Sequence, residues 1–363
     1  MLRSRVPSMT GGGLVNLVAE LERRLTGTAG APGLDTELAE AIPGGDSVVL
    51  VLFDGLGAAQ IERVDGFRRA AGRLHAPFPT TTTVSLATVA TGRVAAGHGV
   101  IGHLMWLPAT GSVVNMLKFV TPPGAPVGLD PTTLLPGETL WERLRGGGIE
   151  PVTVQPGSFA GTPLSRALYR GCRFEPVWSA AEWVDAVVQL SSVPGRLVFA
   201  YWPDVDVAAH VGGQSSDMYR RAVAGAERMW GRLCDRVTVP LVATADHGHL
   251  DYRDSAKILL RGGDVDRVTW FGDPRAVMVR GDVEAAGRVL TDTGALLLGP
   301  DEFLPWFGTD PVPHPELAAR LPDLIALAPD DSLLLPPGFD RRLVGYHGGL
   351  RAEEVEIPLL VGP

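Results

Sequence analysis

Cysteine is almost absent. Cys172 and Cys234 are the only two in 363 residues, too few for a disulfide framework or a thiolate metal site, and both are expected to be small buried hydrophobes. Positive charge is also in short supply. Lys and Arg number 32 against 41 Asp and Glu, for a net charge of −9, which excludes the basic footprint of a protein that binds a nucleic acid polymer. An acidic chain suits an anionic substrate only if bound cations reverse the sign locally. No run of about 18 apolar residues occurs, so no membrane-spanning helix is expected. The start, MLRSRVPSMTGGGLVNLVAELERR, lacks the continuous apolar stretch of a signal peptide. Residues 14–25 read instead as an amphipathic helix, and a cytoplasmic location is expected. Internal repeats and low-complexity tracts are missing too.

What is present is an ordinary globular composition, 45% apolar and 20% charged, in a chain long enough to bury a large core. The strongest strand is SVVLVLF at 47–53, an unbroken apolar run suited to a strand covered on both faces. Further strands are expected at 151–154, 197–201, 240–245 and 276–279, and in the final VEIPLLVG. Helical patterns fall at about 58–71, 140–145, 181–190 and 216–234. Strands alternating with helices predict an α/β fold with a largely parallel central sheet and helices on both faces. The 30 prolines and 45 glycines punctuate the loops. Residues 1–363 are read as one catalytic domain, with the less regular 261–342 as an insertion or a peripheral subregion.

Residues of metal-ligand type gather just past the strands, where α/β sheets place their sites. Asp54 ends the first strand. It reads as a metal ligand or a helix N-cap, and less well as part of a dinucleotide fingerprint, because Gln60 replaces the third glycine. FPTTTTVS at 78–85 is a β-prone loop unless a base or a metal activates one of its hydroxyls. In PDVDVAAH, Asp206 and His210 lie one helical turn apart on one face, as a solvated pair or as oxygen and imidazole ligands suited to zinc. Asp246 and His247 follow an apolar strand in ATADHGH. His347 lies in the glycine-rich GYHGG, where backbone can approach a ligand closely.

In order, VLFDG, FPTTTTVSLATVATG with HGVIGH, PDVDVAAH, ADHG and GYHGG resemble the type I phosphodiesterase/nucleotide pyrophosphatase family of the alkaline phosphatase superfamily. The resemblance spans about residues 47–362 and implies an alkaline-phosphatase-like sandwich. It implies two divalent metal ions, most readily Zn2+. One would be held by Asp206, His210 and His347, the other by Asp54, Asp246, His247 and the nucleophile hydroxyl. The family's nucleophile lies ten residues before Gly92, at Thr82, with Thr81 and Thr83 as neighbouring registers. Ser85 stands where many members carry an asparagine that contacts a phosphate oxygen, and it can donate one hydrogen bond there. His98, His103, His249 and Asp204 match no metal position of the family and are assigned to supporting, packing or surface roles.

The activity this implies is a two-zinc phosphodiesterase or nucleotide pyrophosphatase acting on a small phosphate ester through a phosphothreonine. A phosphomonoesterase with the same machinery is the alternative. It would call for extra cationic groups, and no arginine stands beside Thr82 except Arg93, which follows the motif. An inactive, metal-stabilised binding protein is a third reading.

Overall fold

The computed structural model describes residues 6–363 apart from Arg63, Arg68 and Arg69. A seven-stranded sheet runs through it. In chain order its strands are β1 Val48–Phe53, β2 Ala70–His75, β3 Glu150–Pro156, β4 Arg173–Val177, β5 Arg196–Trp202, β6 Leu241–Thr244 and β7 Glu356–Val361. Across the sheet they lie in the order β2-β7-β6-β1-β5-β3-β4. The five strands from β6 to β4 are parallel, and β7 runs antiparallel to both its neighbours. All six residues of β1 are buried, as a central strand covered on both faces requires.

Six helices matter for the site: α1 Leu14–Thr26, α2 Thr82–Thr91, α3 Leu140–Gly146, α4 Ala180–Ser191, α5 Asp204–Gly212 and α6 Asp217–Arg236. They cover both faces of the sheet. Trp141 of α3 packs on Phe199 with ring centroids 5.8 Å apart. Trp183 of α4 packs on Phe53 and Trp202, at 6.2 and 6.0 Å. Phe199 and Trp202 are three residues apart on β5, so their side chains leave opposite faces. Both indoles are buried, and their N–H groups donate to the Leu168 and Tyr201 carbonyls. Among the described residues no helix is long and apolar enough to cross a membrane.

Two expectations change, and a third region takes definite form. The stretch after Gly57 is not one helix. It holds a turn of helix at Ala58–Ile61, a 3-10 turn at Asp65–Phe67 and then β2, and the remainder of that expectation falls on Arg63, Arg68 and Arg69, outside the described residues. β2 extends because it pairs with β7, Leu74 opposite Ile357, a partner nearly 300 residues away that no local pattern reveals. Residues 261–342 carry most of a second sheet. Their strands Val268–Asp273, Ala276–Gly281, Leu296–Leu298 and Leu324–Leu327 join Leu104–Leu107 and Ser112–Asn115 in a six-stranded antiparallel sheet. Finally, Cys172 and Cys234 are half-buried at the edge of the core.

Candidate metal centre and active site

Three adjacent parallel strands converge on one point. Asp54 follows β1, Asp206 lies in the first turn of α5 just after β5, and Asp246 and His247 follow β6. The Asp206 N–H donates to the Asp54 carbonyl at 3.0 Å, which ties the two segments together. Asp246 Oδ1 accepts from the N–H groups of Gly55 and His247 at 2.9 and 3.0 Å. The loop carrying His347 arrives from far along the chain. His347 Nδ1–H donates to the Thr80 carbonyl, and the Thr80 hydroxyl donates to Gly349 O and accepts from Gly348 N. Gly348 has a φ of +112°, and a Cβ there would come within 2.6 Å of Asp273; glycine is what lets the loop settle so close.

The seven residues singled out as ligands are brought together. His210, His247 and His347 each direct Nδ1–H at a backbone carbonyl, of Gly345, Gly248 and Thr80. In the neutral rings Nε2 is therefore bare and faces inward, the tautomer of a metal ligand. The Nε2 atoms of His210 and His347 are 3.2 Å apart, two lone pairs that need a cation or a proton between them. Asp54 Oδ1 and Asp246 Oδ2 are buried and accept no hydrogen bond, which is costly for carboxylates unless a cation is near.

Distances provide the fit test. Ligand atoms about 2.0 Å from a tetrahedral ion lie about 3.3 Å from one another. Asp206 Oδ1 is 3.5 Å from His210 Nε2 and 3.9 Å from His347 Nε2. With the 3.2 Å separation of the two imidazoles, these make one face of such a tetrahedron. His247 Nε2 is 3.2 Å from Thr82 Oγ1, 3.4 Å from Asp246 Oδ2 and 3.8 Å from Asp54 Oδ1, a second face. The two lie side by side, with the His247 and His347 rings stacked 3.7 Å apart. The donor set fits divalent metal binding.

Electrostatics agree. Burial, then the charges of Asp206 and Asp246, push the Asp54 carboxyl well above its usual range. Burial likewise opposes ionisation of Asp206, but the facing His210 and His249 imidazoles outweigh it and hold its carboxyl well below the usual range. Burial, and after it the neighbouring His247 and His210, keep His347 neutral.

The four threonines are told apart by their partners. Thr80 binds the His347 loop, Thr83 donates to Gly102 O at 3.0 Å, and Thr81 bonds Asp273. Thr82, the first residue of α2, is the one of the four whose hydroxyl meets a metal-type ligand, the bare Nε2 of His247. Ser85 is fully buried and its hydroxyl donates to the Asp246 carbonyl at 2.8 Å. That bond helps place the Asp246 segment.

A family model of type I phosphodiesterase/nucleotide pyrophosphatase matches residues 48–262, more than half of the 363. The chain belongs to this family. It is a metal-dependent hydrolase of phosphoric esters. No curated protein matches it. Among solved structures, murine ectonucleotide pyrophosphatase/phosphodiesterase 5 is 18% identical, over 86% of this chain and 87% of that one, with a TM-score of 0.68. An inactive form of the murine protein, one threonine replaced by alanine, has been solved in complex with AMP and matches at 17% identity and a TM-score of 0.67, over 86% and 87%. Phosphonoacetate hydrolase from Sinorhizobium meliloti, in complex with phosphonoformate, is 18% identical over 86% and 89%, with a TM-score of 0.60.

Tyr201 and Asp273 of this phosphodiesterase-family site escape the sequence, and His249, read there as a supporting, packing or surface residue, gains a definite partner. The Tyr201 hydroxyl donates to Asp54 Oδ2; the parallel register that sets Leu52 opposite Tyr201 places it there. His249 meets Asp206. Asp273, at the end of a strand in the second sheet, accepts from His103 N–H at 3.3 Å and from Thr81. Burial raises the Asp273 carboxyl to about 7. The folded state thus holds this proton more tightly than the unfolded chain does, and stability falls as pH rises from the unfolded value through about 7, by about 1.4 kcal/mol per unit at most. Asp273→Asn is expected to gain melting temperature over the wild type at pH 8–9 and little at pH 5, measured by calorimetry on metal-free protein. A gain independent of pH would contradict the buried-proton account.

Proposed function

We propose that this chain is a two-zinc phosphodiesterase acting through Thr82 and a phosphothreonine intermediate. The observation that carries the reading is the placement of Thr82 Oγ1 3.2 Å from His247 Nε2, with the other three hydroxyls of the run committed elsewhere. The inactive murine relative, which has lost one threonine, supports it. Asp206, His210 and His347 would hold one ion, and Asp54, Asp246, His247 and Thr82 the other. The two ions would supply positive charge to a phosphoryl group in transfer.

The chain's own residues account for the rest. Thr82 Oγ bonds to phosphorus as the bond to the leaving oxygen breaks, and water then cleaves the phosphothreonine and restores the hydroxyl. Thr82 begins α2, so the N–H groups of Thr82 and Thr83, which precede the first bonds to the Thr81 carbonyl, are available to phosphoryl oxygens. Tyr201 and Ser85 hold Asp54 and the Asp246 segment in place.

The diester is favoured over the monoester by Arg93. Its guanidinium is committed to Asp310 through two hydrogen bonds, at 3.0 and 2.7 Å, and does not serve the second charge of a monoester. Zinc-loaded protein is expected to cleave bis-p-nitrophenyl phosphate at least about tenfold faster than p-nitrophenyl phosphate, about 1.4 kcal/mol of transition-state preference. Faster monoester cleavage would move the protein to the phosphatase reading. Nucleotide diesters are the first natural class to test, since the murine relative was captured with AMP.

A further inference from the structure

His249 stands outside every ligand assignment made above, yet it is built into the centre. Its side chain is wholly buried, and its ring meets those of His210, His247 and His347 edge-on at 4.8, 5.4 and 5.1 Å. Its backbone is held by two amides, Gln60 Nε2 and Gln214 Nε2, each donating to its carbonyl at 3.0 Å. The ring lies against Gly55, where a Cβ would come within 2.8 Å of it. Such an imidazole is either another ligand or a partner of one.

The distances decide between the two. His249 Nε2 is 2.6 Å from Asp206 Oδ1. Two atoms bound to one tetrahedral ion lie about 3.3 Å apart, and the other pairs in the centre keep 3.2–3.9 Å. A separation of 2.6 Å is that of a charge-assisted hydrogen bond. Nδ1 is buried with no partner, so the one proton of the neutral ring belongs on Nε2, where Asp206 accepts it.

We propose that His249 is a positioning residue of the metal centre, an N–H donor that fixes the Asp206 carboxylate in the rotamer that meets His210 and His347. The inference rests on the zinc reading above. It extends that reading by giving the Asp206 side of the centre a dedicated outer partner and leaving the Asp246 side independent of it. Outer partners of this kind are worth about 10–100-fold in metal affinity.

The test uses the full chain, stripped of metal, and two variants. His249→Gln keeps an N–H donor at similar reach, whereas His249→Met keeps the bulk and loses the donor. Zinc binding is followed by competition with a chromophoric chelator, and calorimetry of the metal-free proteins checks that both variants fold. The wild type is expected to take up two ions. His249→Met is expected to weaken one of them by about 10–100-fold and spare the other, while His249→Gln stays within about threefold of the wild type. Equal losses in both variants would make His249 a ligand or a packing group and overturn the proposal. So would two unchanged sites in His249→Met. If the wild type itself binds no zinc, the zinc reading fails and this proposal with it; two ions bound alike in all three proteins would remove the role of His249 alone.

Discussion

Thr82→Ala is expected to lower diester turnover by at least about 10³-fold, because no other hydroxyl of the threonine run faces the centre and a nucleophile has no partial substitute. Zinc content should stay close to two ions per chain. Thr82 is one contributor to the second set, and Asp54, Asp246 and His247 remain to hold the ion. Steady-state rates on the diester together with metal analysis of the same samples make the check. The diagnostic result is the split, turnover lost with metal retained. Turnover within tenfold of the wild type would transfer the nucleophile to water or to another side chain. Thr81→Ala and Thr83→Ala serve as controls: their hydroxyls bond Asp273 and Gly102 O, so they are expected to lose stability more than activity.

Asp246→Asn is expected to produce the opposite pattern, with one ion lost and turnover lost along with it. The substitution is nearly isosteric. The amide oxygen can still accept from Gly55 and His247, the two bonds that seat this segment. What changes is Oδ2, the oxygen 3.4 Å from His247 Nε2 that takes no hydrogen bond, because an NH2 there cannot ligate. Affinity for one ion is expected to fall by more than the roughly 10–100-fold that outer partners are worth. Chelator competition should show one weakened site and one unchanged. The metal-free variant should be no less stable than the metal-free wild type, because a charge is removed from beside Asp54, whose burial already disfavours ionisation. A metal-free variant that melts well below the wild type would instead make Asp246 a structural residue.

Much of the centre is legible in the sequence because its ligands sit where strands end. Asp54 after VLF and Asp246-His247 after LVAT are polar residues at the exits of fully apolar runs, and Asp206 and His210 share a helix face by spacing alone. Chemistry that depends on register is not legible in this way. Tyr201 reaches Asp54 only because β5 and β1 pair one way and not another. Asp273 reaches Thr81 only because strands from both halves of the chain form the second sheet. His249 has the right element for a ligand, two residues past His247. Its actual partner follows from a 2.6 Å contact that sequence spacing cannot express. β2 is hidden for a related reason: with one buried residue in six it carries no periodic signal, and its identity comes from β7.

The three hydrogen bonds between Thr80 and the His347–Gly349 turn close a loop of more than 260 residues. Closing so long a loop is entropically costly, and the turn is anchored besides by the pairing of Gly345–Tyr346 with Leu250–Asp251 and by β7 in the main sheet. An ion shared by Asp206, His210 and His347 would act as a clasp on it, a cross-link made late and broken by a chelator rather than a reductant. Metal supply would then add to the resistance of this turn to local opening. A nascent chain synthesised only as far as His249 would hold Asp206 and His210 but lack His347, so this ion, unlike one held by Asp54, Thr82, Asp246 and His247, would bind only once the last part of the chain is made.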